Sequence, residues 1–226
     1  MSSAEKYAWK EIPGSSHDLL RRRIRQLPPG QRLLDLGAAR GHLGRAVRDR
    51  CAYLAGVEAD ATVPADSRSA YDDWRQADAL APLDWDEPFD VVVCADVLEH
   101  LAEPEKLLDR IRGWLKPGGT LLASIPNAAN VSVRLALLAG RFEYAERGIL
   151  DRTHLRFYTR STARRLLEGN GWIVRGVEAT AMPYELALPW LSRPPLAAAT
   201  RSFARASART WPTLFGYQFL FEALRP

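Results

Sequence analysis

The sequence predicts an α/β fold built on a doubly wound parallel sheet, and three observations carry that expectation. LLDLGAARGHLG, residues 33–44, reads as a buried strand, a glycine turn and the start of a helix. FDVVVC, residues 89–94, is a continuous apolar run of the kind buried on both faces of a parallel sheet. Between residues 31 and 126 five strand-like runs alternate with helical ones, the pattern of stacked βαβ units.

Taken in order, residues 1–15 read as irregular, with Tyr7 and Trp9 as packing anchors. Ser16–Leu27 reads as a helix that Ser15 or Ser16 can cap. Leu19, Leu20, Ile24 and Leu27 share one face, and Arg21, Arg22, Arg23 and Arg25 fill a solvated basic face opposite. PPG at 28–30 ends that helix, and Gln31–Leu36 is the first strand. After the glycine turn, His42–Arg50 is amphipathic and helical. Ala52–Val57 is the second strand, residues 61–73 a poor helix weakened by Pro64, and Trp74–Ala77 a short third strand. Phe89–Cys94 is the fourth. A helix from Pro104 to Leu115 is expected to stop at LKPGG with a glycine C-cap, before the fifth strand, TLLASIP, at 120–126. Helices follow at Val131–Leu138 and Ser161–Glu168, then a sixth strand at Trp172–Glu178 and a last one at Leu214–Ala223.

A chain of 226 residues has ample core for one domain. The expected organisation is an N-terminal helix region (1–30), a ligand-binding half (31–126), substrate-side segments and cap (127–212) and a last strand (213–226). No run is long and apolar enough to span a bilayer, and MSSAEKYAWKEIPG lacks the apolar segment of a secretory signal. Cys51 and Cys94 lie in apolar runs and read as buried free thiols in a reducing compartment. The expected location is therefore cytoplasmic. No Cys/His cluster has metal-ligand spacing, so no metal is expected. A net charge of +4, mostly from arginine, does not by itself indicate nucleic acid.

The glycine spacing is Gly37, three residues, Gly41, two residues, Gly44, with Asp35 two positions ahead. This is not the G-x-G-x-x-G of dinucleotide binding. It resembles motif I of the class I S-adenosylmethionine (SAM) methyltransferases, D-x-G-x-G-x-G, with Ala39 in place of the middle glycine. CADVLEH at 94–100 resembles motif IV of small-molecule O-methyltransferases, and the LKPGG-strand step is a landmark of the same family. DRTHLRFYT, at 151–159, resembles the THxxxF segment over the methyl-transfer site of ubiquinone-biosynthesis-like and MetW-like methyltransferases.

The resemblance implies a Rossmann-like seven-stranded sheet, mostly parallel with an antiparallel last strand, and SAM as cofactor with S-adenosylhomocysteine as product. Asp35, Gly37, Ala38, Ala39, Gly41, His42 and Leu43 would surround the cofactor, with Asp96 and Val97 closing it from the fourth strand. Glu58, followed by Ala59, ends the second strand roughly 20 residues beyond the first glycine, where a carboxylate accepts from ribose hydroxyls. Asp78 and Ala79 match the pair that meets the adenine.

If the acceptor is a hydroxyl, a base is needed, and histidine suits that task near neutral pH. His154 is the expected general base, oriented by Asp151, with His100 a capping or cofactor-shell residue. The expected activity is O-methylation of a small-molecule, sugar or lipid-linked glycan hydroxyl. A methyltransferase-like partner subunit without activity is the alternative, and Ala39 is the feature in its favour. Nucleic-acid methylation is disfavoured, because CADVLEH holds neither an N/D-P-P-Y/F-like sequence nor a Pro-Cys nucleophile. Residues 182–212 are proline-interrupted and apolar, then carry Arg201, Arg205 and Arg209 at every fourth position. They read as a helical cap on the substrate side. The alternative is a contact with a membrane surface through Trp190 and Trp211.

Overall fold

The computed structural model describes residues 13–187 and 189–226; Tyr7 and Trp9 lie outside them. Seven strands form one sheet: β1 (Gln31–Leu36), β2 (Cys51–Glu58), β3 (Asp73–Gln76), β4 (Phe89–Ala95), β5 (Leu115–Pro126), β6 (Ile173–Ala179) and β7 (Gln218–Leu224). Their order is β3-β2-β1-β4-β5-β7-β6. The pairings among β1 to β5 are parallel, and β7 runs antiparallel to both β5 and β6. The carboxyl ends of β1, β2 and β4 therefore meet along one rim, on either side of the reversal in strand order where open α/β sheets bind ligands.

Eight helices join the described strands: α1 (Ser16–Gln26), α2 (His42–Val47), α3 (Pro104–Trp114), α4 (Val131–Leu138), α5 (Arg160–Gly169), α6 (Tyr184–Ala187), α7 (Leu196–Thr210) and α8 (Pro212–Phe215). The alternation of each strand sends its side chains into two separate cores. Leu33, Val91, Val93, Leu122 and Leu220 pack under α1 and α2 with Leu20, Ile24 and Val47. Leu34, Leu36, Val92, Leu121, Phe219 and Phe221 pack on the other face with Leu107, Ile111, Ala163 and Leu167 of α3 and α5. Ser15 caps α1, its Oγ accepting from the Asp18 N–H at 3.3 Å. Arg21, Arg22 and Arg25 of α1 are exposed, as a solvated face requires, and the arginines also form ion pairs: Arg22 with Asp18 at 2.8 Å, Arg23 with Glu222 at 3.4 Å and Arg25 with Asp49 at 2.8 Å. No described helix is long and apolar enough to cross a membrane.

Four boundaries differ from the sequence reading, each for a local reason. α2 ends at Val47 and continues as a 3₁₀ turn, Arg48–Arg50. Residues 61–73 hold only a 3₁₀ turn, Ala65–Arg68, begun behind Pro64. LKPGG is not a glycine C-cap but the start of β5: the register against β4 jumps from Phe89↔Leu115 to Val91↔Thr120, so residues 116–119 bulge out of the ladder. Gly118, at φ +75°, supplies the left-handed residue that this bulge needs. The last strand starts at Gln218 because Pro212 opens the short helix α8.

Asn127 and Asn130, at the end of β5, are fully buried. Both Nδ2 groups donate to the Gly216 carbonyl, at 2.8 and 2.9 Å, and so fix the chain just before β7. The Asn130 Oδ1 also caps α4, accepting from the Ser132 N–H at 3.0 Å. Asn130→Ala removes a helix cap and an interior anchor together, and is expected to cost about 2–3 kcal/mol in urea unfolding.

Candidate active site

The glycine turn lies at the carboxyl end of β1, but it does not present a row of free amides. Gly37 and Ala38 N–H both donate to the Val57 carbonyl, at 2.9 and 3.0 Å, and Gly41 N–H to the Ala38 carbonyl at 2.8 Å. Ala39 N–H donates to Glu58 Oε2 at 2.7 Å. The turn is thus held by its own hydrogen bonds and by β2. Ala39 takes the left-handed region at φ +46°, a conformation a glycine would reach without cost. Gly41, at φ +65°, precedes α2 and has no side chain to cap it, with His42 and Leu43 forming the first turn. A Cβ on Gly37 would stand 2.9 Å from Val97 Cγ2, so the β1 and β4 ends approach closely here.

Glu58 is nearly buried, and its second oxygen accepts from the Asp60 N–H at 2.7 Å. Each oxygen keeps lone pairs for a further donor, as a carboxylate that meets ribose hydroxyls requires. Ala59 follows at the rim. Asp78 lies beyond β3, its Oδ1 accepting from the Leu80 N–H at 2.7 Å, with Ala79 between them. Asp96 also takes a left-handed conformation, at φ +53°. Its Oδ1 accepts from Ser124 Oγ at 2.6 Å and its Oδ2 from Gln218 Nε2 at 2.7 Å, so it is pinned by β5 and β7 together.

Asp35 does something the sequence did not suggest. Its side chain is buried and accepts from the Tyr71 hydroxyl at 2.7 Å. Burial pushes its carboxyl up to about 7 despite that bond, and the Glu58 charge adds to the rise. Tyr71 occupies the space that Gly44 and Gly56 leave: a Cβ on Gly56 would sit 2.8 Å from its ring, and one on Gly44 would overlap it. The third glycine of the motif thus makes room for Tyr71. Tyr71 is the residue that sequence reasoning missed, and the signal for it was Gly56 in mid-strand, where a glycine marks a close approach.

Residues 151–158 lie along the loop after β4. Leu155 and Arg156 N–H both donate to the Glu99 carbonyl, at 2.8 and 3.0 Å, and Arg156 Nε donates to the Ala102 carbonyl at 3.1 Å. This brings His154 against His100, ring centroids 4.8 Å apart and edge-on. His154 Nδ1 lies 3.0 Å from the Ile149 carbonyl, which orients the ring. Asp151 holds its own turn, accepting from Thr153 N–H and Oγ1 at 2.9 and 2.7 Å. His100 Nδ1 meets the Thr153 carbonyl at 3.1 Å. A carbonyl only accepts, so both rings carry their proton on Nδ1 and leave the Nε2 lone pair outward. Burial lowers the His154 pKa, which keeps the ring neutral.

Glu99 completes the group. It is 1% exposed, and neither carboxylate oxygen has a hydrogen-bond partner in another of the described residues. Burial, with the Asp96 and Asp151 charges nearby, pushes its carboxyl well above the usual range. One ligand atom from each of Glu99, His100 and His154 lies within 4.8 Å of the others. A carboxyl group and two imidazoles, each with its Nδ1 at a carbonyl, form a donor set for a divalent metal. No spacing signal announces it, because His154 arrives from 54 residues downstream of His100.

This strand order, with carboxylates at the ends of β2 and β4 and a glycine turn after β1, defines a class I SAM-dependent methyltransferase domain. A family model described as a methyltransferase domain matches residues 8–175, and the chain belongs to that family. S-adenosylmethionine is its cofactor. The ubiquinone biosynthesis O-methyltransferase of Nitrobacter winogradskyi is 33% identical over 150 residues, covering 63% of this chain and 56% of that protein. The protein of the same name from Maricaulis maris is 31% identical over 120 residues, 50% of this chain and 47% of its own. The chain thus spans about half the length of these curated relatives. Among solved structures, a SAM-dependent methyltransferase from Mesorhizobium loti superposes with a TM-score of 0.61 at 19% identity, over 95% of this chain and all (100%) of that one. The cyclase SpnF gives 0.62 at 21% identity, over 98% of this chain and 86% of that one. A cyclase on the same fold shows why the site, not the sheet, must carry the functional argument.

The Asp35 carboxyl has an ordinary value of 3.8 and about 7 in the fold, so the native state holds a proton that the unfolded chain releases. Stability from this group is full below pH 3.8 and is lost as pH rises through about 7. Urea unfolding of the wild type and Asp35→Asn between pH 5 and 8 checks this. The wild type is expected to lose about 1.4 kcal/mol per pH unit relative to the variant up to pH 7, and nothing more above it.

Proposed function

We propose that this domain transfers the methyl group of SAM to a hydroxyl oxygen of a small-molecule, sugar or lipid-linked glycan acceptor. The 37–41 turn, Glu58 and Asp78 would hold SAM, which would supply an electrophilic methyl to the acceptor oxygen and leave as neutral S-adenosylhomocysteine, the hydroxyl proton passing to His154. The observation that carries the reading is the buried His154, whose Nδ1 is fixed on the Ile149 carbonyl and whose Nε2 is left to accept the hydroxyl proton. The 151–158 segment positions that nitrogen beside the ends of β4 and β5, and positioning alone is worth roughly 7–11 kcal/mol of barrier in well-oriented reactions. The names of the relatives, O-methyltransferases of ubiquinone biosynthesis, support oxygen as the acceptor atom.

The unpartnered carboxylate of Glu99 favours a second form of the same reading, in which Glu99, His100 and His154 hold a divalent cation. A cation there would compensate a buried charge and lower the pKa of an acceptor hydroxyl. The two forms separate by experiment. Formation of S-adenosylhomocysteine is followed over a panel of catechols, sugars and lipid-linked glycans, before and after chelation. His154→Ala is expected to lower kcat by 10²-fold or more in both forms. Loss of activity on chelation, restored by added metal, selects the cation; indifference to chelation selects His154 as the base. Unchanged turnover in His154→Ala on an active acceptor excludes both.

Cofactor binding is checked separately by calorimetry with SAM and S-adenosylhomocysteine. Glu58→Ala is expected to weaken both about tenfold or more, the worth of a hydrogen bond to a charged group.

A further inference from the structure

A groove of about 840 Å³ lies outside the reaction cleft, between α1, the β6 edge and α7. Arg22 and Arg23 of α1 line one wall and Arg205 and Arg209 of α7 the other. Glu178 is the one acid in its lining, and it already pairs with Arg23 at 3.6 Å. Arg22 is held by Asp18, and Arg201 by Glu185 at 3.6 Å. Arg205 and Arg209 have no ion pair among the described residues.

α7 itself is two-sided. It carries three arginines and no acid. Its buried stripe is made of Ala197, Ala204 and Ala208. At about 100° per residue, Arg201, Arg205 and Arg209 run along one flank of that stripe and Leu196 and Phe203 along the other. Phe203 is 59% exposed and Leu196 45%, and Trp190 and Trp211, just outside the two ends of α7, are 53% and 58% exposed. Large rings held in water next to unpaired arginines are the marks of an element that rests in a lipid interface.

We propose that α7 and the groove beside α1 dock this domain on an anionic lipid bilayer. Phe203, Trp211 and Trp190 enter the headgroup boundary, and Arg205 and Arg209 meet lipid phosphates. A soluble anion would use the arginines and leave the exposed rings without a role. The bilayer uses both flanks of one helix. This inference is independent of the acceptor and of the chemistry at His154.

The test is co-sedimentation with vesicles of phosphatidylcholine alone and of phosphatidylcholine mixed with phosphatidylglycerol. The wild type is expected to sediment with the mixed vesicles only, and less so as salt is raised. Each arginine near an anionic surface contributes about fivefold, so Arg205→Gln with Arg209→Gln is expected to weaken binding roughly 25-fold. Phe203→Ser with Trp211→Ser is expected to abolish sedimentation. Circular dichroism and SAM calorimetry confirm that both double variants are folded. The proposal is overturned by no sedimentation, by equal sedimentation with neutral vesicles, or by unchanged binding in the arginine pair. Retained binding in the aromatic pair overturns it too, and points to a soluble anion in the groove.

Discussion

The Asp35–Tyr71 hydrogen bond sits behind everything on the cofactor side. It ties the middle of β1 to the chain entering β3, across a gap that exists only because Gly44 and Gly56 lack side chains. A buried carboxyl is costly unless it is neutral or well bonded, and here it is both bonded and raised toward neutrality. With Tyr71 wedged in place, α2 cannot slide on β2, and the turn from Gly37 to Gly41 is held at one distance from Glu58. The motif that looks like a cofactor cradle from the front is a tyrosine socket from behind.

A second constraint assembles the acceptor side. The Glu99 carbonyl takes two amides from the 151–158 segment, so a loop far along the chain is laid against the end of β4. Every polar feature of the cluster follows from that seam. The seam places His154 on His100 and closes over Glu99, whose buried carboxylate has no donor from another described residue. Such an unsatisfied carboxylate is unfavourable for stability, which is the usual sign of a group kept for function.

Much of this was legible in the sequence where the signal was local. The seven strands, their alternation with helices, and the carboxylates Glu58 and Asp96 follow from apolar runs and from the turns that end them. What was hidden depends on partners distant in sequence. The spacing of Asp35 from Gly37 fits a motif, but its bond to Tyr71, 36 residues on, has no local signal. The contact of His154 Nδ1 with the Ile149 carbonyl is equally hidden, because no residue type announces a backbone carbonyl. LKPGG reads as a helix stop because glycine and proline signal one. The pair Lys116 and Asp90, at 2.6 Å, instead draws the bulge onto β4 and extends the strand.

The bonds from Ser124 and Gln218 to Asp96 bear on how the chain comes together during synthesis. β7 is made after the other six strands, yet it lies between β5 and β6 and supplies one of the two clamps on Asp96. Until Gln218–Leu224 has left the ribosome, the outer edge of β5 is an open ladder and β6 has no strand to pair with. The half of the domain that holds the glycine turn can therefore collapse early, while its rim remains unfinished. A nascent chain paused before β7 would expose a long apolar edge, making this interval the one in which a chaperone has most to protect.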